Sequence, residues 1–116
     1  MTLSRDAILA ASDLREAEVN VLEWGGAVRL RELSGAERGD FERKLAELTK
    51  AGLLARYYRA LVVIATVIGE DGKRLFSFDD LDAVSAKSGT ALDIIAAKAD
   101  ELTKLSDAQI EDLAKN

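Results

Sequence analysis

The sequence predicts an α+β domain, predominantly helical, in which one N-terminal β-hairpin packs against about five or six helices. Three observations carry this expectation. Apolar residues alternate with period 2 only between Val19 and Arg31, on either side of Gly25-Gly26. Most of the remaining chain repeats its apolar residues at helical spacing, and serine-led capping signals open several of those stretches. With 116 residues, 48% hydrophobic and 32% charged, the chain can bury one core, and with no proline or Gly/Ser linker it reads as one unit over 1–116.

Taken in order, Ser4 caps a short first helix carrying Ile8 and Leu9. The hairpin follows, with strands at about 18–24 and 27–33 joined by a two-residue turn at Gly25-Gly26, a pair that accepts positive φ. In that register Val21 lies opposite Leu30, Leu22 opposite Arg29 and Trp24 opposite Ala27. Val19, Val21, Val28 and Leu30 then face the helices, which leaves Leu22, Trp24, Arg29 and Arg31 on the other face.

Ser34-Gly35-Ala36-Glu37 is a capping box opening a helix to about Lys50, with Phe41, Leu45 and Leu48 as its inward stripe and Gly52 as its stop. Leu53 to Ile68 reads as a second helix, apolar on every side from Leu61 onward and therefore central. Its β-branched residues also suit a buried strand, but continuity with Arg56-Tyr57-Tyr58-Arg59 favours helix. Gly69-Glu70-Asp71-Gly72 is a turn, and Arg74-Leu75-Phe76 is expected as a brief extended piece beside the hairpin. Ser77 with Asp80 opens a helix containing Phe78, Leu81 and Val84. Ser88 or Thr90 opens another, with Leu92, Ile95, Ala99 and Leu102 on one face, and Ser106 with Gln109 opens a last short one carrying Ile110 and Leu113.

The chain has neither cysteine nor histidine. Their absence removes disulfides, thiol nucleophiles, the usual zinc ligands and the commonest general base. The expectation is a protein that is not an enzyme and carries no cofactor or metal. The acids Asp79, Asp80 and Asp82 stand at a helix start, where the helix dipole favours them without any catalytic role. Asp71-Gly72-Lys73 lacks the alternating oxygen ligands and closing glutamate of a calcium loop, and no phosphate-binding glycine motif occurs.

Net charge is -5, and a negative envelope repels phosphate. Residues 25–60 are locally basic, but Glu32, Glu37, Asp40, Glu42 and Glu47 interleave with the cations at helical spacing, so most are expected as solvated ion pairs. No nucleic acid partner follows. The apolar run Ala60 to Ile68 is far short of the ~20 residues of a spanning helix, and the N-terminus lacks a secretory pattern, so a cytoplasmic protein without a membrane partner is expected. That leaves a contact surface. Leu22, Trp24, Arg29 and Arg31 are its expected members, because Trp and Arg are enriched in interface hot spots; packing of Trp24 on the domain's own helices is the alternative.

The run Trp24-Gly25-Gly26-Ala27-Val28-Arg29-Leu30-Arg31-Glu32-Leu33-Ser34-Gly35-Ala36-Glu37-Arg38 resembles the opening signature of tail assembly chaperones from long-tailed phages and prophages. The order of the later segments agrees with that family's short product: Leu61 to Ile68, then Glu70-Asp71-Gly72-Lys73-Arg74-Leu75-Phe76, an acidic helix and the Leu105-Ser106 to Leu113 helix. The resemblance covers about residues 14–116. It implies a single chaperone-like domain acting in the host bacterial cytoplasm, absent from the mature virion, with the tape-measure protein and the major tail (tube) protein as partners and self-association as a further option. It also implies a longer, frameshifted form of the chain as a partner. Ala114-Lys115-Asn116 can be encoded GCA AAA AAC, which contains a slippery heptamer, and an ordinary polar helix end is the alternative. The competing expectations are a small structural tail protein of the virion and an acidic regulator that binds nucleic acid.

Overall fold

The hairpin forms, but with a wider turn than two adjacent glycines suggest. In the computed structural model, which describes residues 1–115 and side chains as far as Leu102, β1 is Glu16–Val21 and β2 is Gly26–Arg31. They pair antiparallel with Val21 opposite Gly26, Val19 opposite Val28 and Glu16 opposite Arg31. A 3₁₀ turn, Leu22–Trp24, and Gly25 make the connection; Gly25 has φ 72 and closes the turn by donating its N–H to the Leu22 carbonyl, whereas Gly26 is already strand. The expected strands at 18–24 and 27–33 are corrected accordingly. The observed register places Glu18 opposite Arg29 and Glu16 opposite Arg31, and directly opposed unlike charges stabilise a pair of strands. A two-residue turn at the glycines would have set both arginines against Leu22 and Asn20 instead.

Leu30 thus faces Ala17 rather than Val21, four positions along β1. Side chains alternate with period 2, so an even slip leaves every residue on its expected face. Val21 and Leu30 are fully buried, and Val19 and Val28 pack against the same core.

Before the sheet, Ser4 caps α1, Arg5–Ala10, accepting from the Ala7 N–H at 3.1 Å. After it, α2 spans Gly35–Lys50 behind the expected capping box: Ser34 Oγ accepts from Glu37 N–H, and Glu37 Oε1 accepts from Ser34 N–H. Gly52, at φ 74, stops α2, and the Leu53 N–H reaches back to the Leu48 carbonyl, as in a Schellman ending.

The central helix, α3, is Leu54–Thr66 and buries Ala60, Leu61, Val63, Ile64 and Thr66. The Thr66 hydroxyl donates to the Val62 carbonyl at 2.7 Å, which satisfies a polar group in the interior. The helix does not continue to Ile68. Val67–Ile68 become β3, antiparallel to β2, in the sheet order β1-β2-β3. Two β-branched residues at the end of a helix thereby complete a sheet edge, with a further bridge from Ile68 to Arg74 where the brief extended piece was expected.

Ser77 and Asp80 cap a 3₁₀ turn, Phe78–Asp80, that leads into α4, Leu81–Ser85. The last helix, α5, is Gly89–Lys115 and buries Ala91, Leu92, Ile95, Ala99 and Leu102, the expected stripe. Its backbone passes Ser106 unbroken, so the two expected closing helices are one. The side-chain cap of Ser106 with Gln109 and the Ile110 and Leu113 stripe fall outside the described side chains. Five α-helices are thus described. Both α3 and α5 contribute to the core beneath β1 and β2, while α2 packs on the outer side of α3.

Candidate interaction surface

Of the four expected contact residues, two sit at the hairpin tip and two near its base. Leu22 and Trp24 lie in the 3₁₀ turn, with Leu22 89% and Trp24 36% exposed. The turn lies against α5, and most of the Trp24 surface is covered by its own domain, as the alternative reading of that residue has it. Arg29 and Arg31 share the outer face of β2. That face is cationic and anionic in alternation, built with Glu16 and Glu18 of β1, and is not the half-apolar face expected. At the ~3.4 Å rise per residue of an antiparallel strand, Arg31 stands roughly 17 Å from the tip.

The arginines are engaged internally. Arg29 donates to a Glu16 carboxylate oxygen and, at 3.4 Å, to the Glu70 carbonyl. Arg31 donates through Nη1 to the Gly72 carbonyl at 2.8 Å and approaches Glu37 at 3.9 Å. Together they hold the Glu70–Gly72 turn against the sheet. Arg31 Nε is the buried side-chain nitrogen without a hydrogen-bond partner among the described residues.

Beside them lies a junction that sequence reasoning missed. Arg74 donates through Nε to Glu37 Oε2 at 2.7 Å and through Nη2 to Glu37 Oε1 at 2.8 Å, the two-pronged geometry that suits guanidinium and carboxylate. Its Nη1 also reaches the Thr66 carbonyl at 2.8 Å and the Arg31 carbonyl at 3.2 Å, and Nη2 reaches the Glu32 carbonyl at 3.3 Å. One side chain thus ties the end of α3, the end of β2 and the start of α2. The hydrogen bonds from Arg74, helped by the Ser34 amide and opposed by partial burial, hold the Glu37 carboxyl down at about 2. So firmly ionised an acid cannot serve as a proton donor near neutral pH. A capping-box glutamate and an arginine beside a turn were both visible in the sequence; their meeting depends on β3, which was not.

The remaining charges follow the expectation of surface pairing on α2: Arg38 with Glu42, Arg43 with Asp40 and Lys44 with Glu47. In the acidic cluster, Asp80 accepts from the Ser77 N–H and Asp82 accepts from the Tyr57 hydroxyl at 2.6 Å. Among the described residues no group of acids is placed to hold a metal ion, and no helix is long and apolar enough to cross a membrane.

The family model for phage tail assembly chaperones matches residues 3–116. The chain belongs to that family. Its fold is also that of a solved tail assembly chaperone, from bacteriophage HK97, with a TM-score of 0.56 at 23% identity over 82% of this chain and 89% of the other. No curated protein matches. For a tail assembly chaperone the described surface offers apolar area at an exposed turn, chiefly Leu22 with the uncovered third of Trp24, separated from a base in which arginines serve the fold.

Proposed function

We propose that this tail assembly chaperone binds the tape-measure protein and tail-tube subunits in the host cytoplasm, performs no bond chemistry and leaves the tail before the virion is complete. The observation that carries the reading is the family match over nearly the whole chain. The exposed Leu22 and Trp24 supply a surface suited to it, since a small apolar patch on an acidic domain can cover an apolar stripe on a partner and keep the complex dissolved. A long apolar tape-measure chain is prone to aggregate until the tube surrounds it, and many weakly bound copies would shield it yet release readily through the loss of avidity. A longer frameshifted form would carry the same tip; codons other than AAA for Lys115 would remove the slip site at Ala114-Lys115-Asn116.

Leu22→Asp with Trp24→Ala is the appropriate test substitution. Arg29→Glu would instead disrupt the internal pair with Glu16. Co-expressed with tagged tape-measure protein, wild type should co-purify and the double variant should not, with helical circular dichroism unchanged. Equal recovery of both would remove the tip from the account. Mass spectrometry of purified virions should detect no copy of the chain.

A further inference from the structure

Three features, two of the N-terminal arm and one of the helices, belong together. Every residue from Met1 to Asp13 is exposed, and the α1 side chains Ile8 and Leu9 are 56% and 67% exposed. Helices shorter than ~12 residues are marginal in water unless they pack against something, and α1 has 6 residues with none buried. The second feature is a groove of about 230 Å³ between α2, α3 and the 74–78 segment, lined by the apolar Leu33, Phe41, Ile64, Phe76 and Phe78 and also by Glu37, Asp40, Arg74 and Ser77. An apolar cavity of ~150 Å³ accepts a benzene ring, so this one has room for more than one aliphatic side chain. The third is the anchor of the arm. Arg15 exchanges hydrogen bonds with Glu32, its N–H to Glu32 Oε1 and its carbonyl from the Glu32 N–H, both at 2.9 Å, and the next residue, Leu33, lines the groove. Five residues lie between that anchor and Leu9, and the six Cα–Cα steps reach up to ~20 Å.

We infer that α1 is a strap that closes over the groove of its own chain, seating Ile8 and Leu9 among Phe41, Phe76 and Phe78. The structure holds the open arrangement. A tether this short presents the arm at an effective concentration of order millimolar, above that of a second copy in micromolar solution, so the chain's own groove is filled first. The strap is a property of the free chain, and any apolar segment that uses the groove must displace it.

The lack of cysteine makes the test clean. Leu9 and Asp40, which is exposed at the groove rim, are replaced in a Leu9→Cys, Asp40→Cys variant and oxidised at micromolar concentration. Closure predicts an intramolecular disulfide, seen as a faster-migrating monomer on a non-reducing gel, and at least ~10-fold slower formation when Ile8→Asp is added. Absence of the disulfide, an unchanged rate with Ile8→Asp, or disulfide-linked dimers as the main product would each overturn the strap.

Discussion

Loss of the Glu37 charge should remove an acid-sensitive part of the stability. Glu37 titrates near 4.5 in an unstructured chain and near 2 when folded, a gap of 4.5 − 2 = 2.5. At ~1.36 kcal/mol per unit this corresponds to roughly 3 kcal/mol, and screening of a side chain that is 29% exposed reduces it to about 2 kcal/mol. The folded pKa is the lower one, so the contribution is fully present above about 4.5 and is lost as pH falls toward about 2. Urea denaturation followed by circular dichroism, repeated from pH 7 to pH 2, measures it. Wild type should lose about 2 kcal/mol more across that window than Glu37→Gln, which has no carboxyl to protonate. Parallel profiles for the two proteins would mean that the Arg74 junction does not hold the fold, and would refute the reasoning.

Arg74→Met should cost about 3 kcal/mol at pH 7 by the same denaturation assay, because it removes both guanidinium bonds from the Glu37 carboxylate, leaving it only the Ser34 amide, and takes the donor from three carbonyls. Gly25→Ala should cost roughly 1 kcal/mol, since φ 72 is a left-handed conformation that strains a β-carbon, whereas Gly26→Ala, with nothing within 4 Å of an added Cβ, should stay within ~0.5 kcal/mol; equal losses at both would restore the two-glycine turn. Ile95→Ala, fully buried against the sheet, should lower stability by about 3 kcal/mol in thermal or urea unfolding. Leu22→Asp should leave the unfolding midpoint unchanged, because its side chain is already in water.

Much of this fold was legible because burial imposes periodicity. The inward face of the hairpin followed from alternation alone and survived a wrong register, because the slip was even. The α2 stripe of Phe41, Leu45 and Leu48 and the α5 stripe of Leu92, Ile95, Ala99 and Leu102 followed from helical spacing. The turn was misread because glycine advertises positive φ without saying how many positions need it, and the cross-strand pair of Arg29 with Glu16 shows in no local pattern. Val67 and Ile68 continued an apolar run without a break, and only the presence of β2 alongside makes them a strand. Ser106 has the form of a cap, yet adding residues to an existing helix is easier than nucleating another, so the backbone of α5 continues through it. At the candidate surface, exposure was less legible than the core. Leu22 is exposed, Trp24 is mostly covered by its own domain, and Arg29 and Arg31 are occupied by Glu16, Glu70 and Gly72, partners that no local pattern reveals.

The proposed role requires that contacts at the hairpin tip keep a partner dissolved. Sedimentation of the tape-measure protein co-expressed with increasing amounts of this chain tests that most directly. The account predicts that the tape-measure protein moves from pellet to supernatant in proportion to added chain, and that Leu22→Asp with Trp24→Ala leaves it in the pellet. Equal rescue by that variant, or a tape-measure protein that stays insoluble at every ratio of wild-type chain, would contradict it.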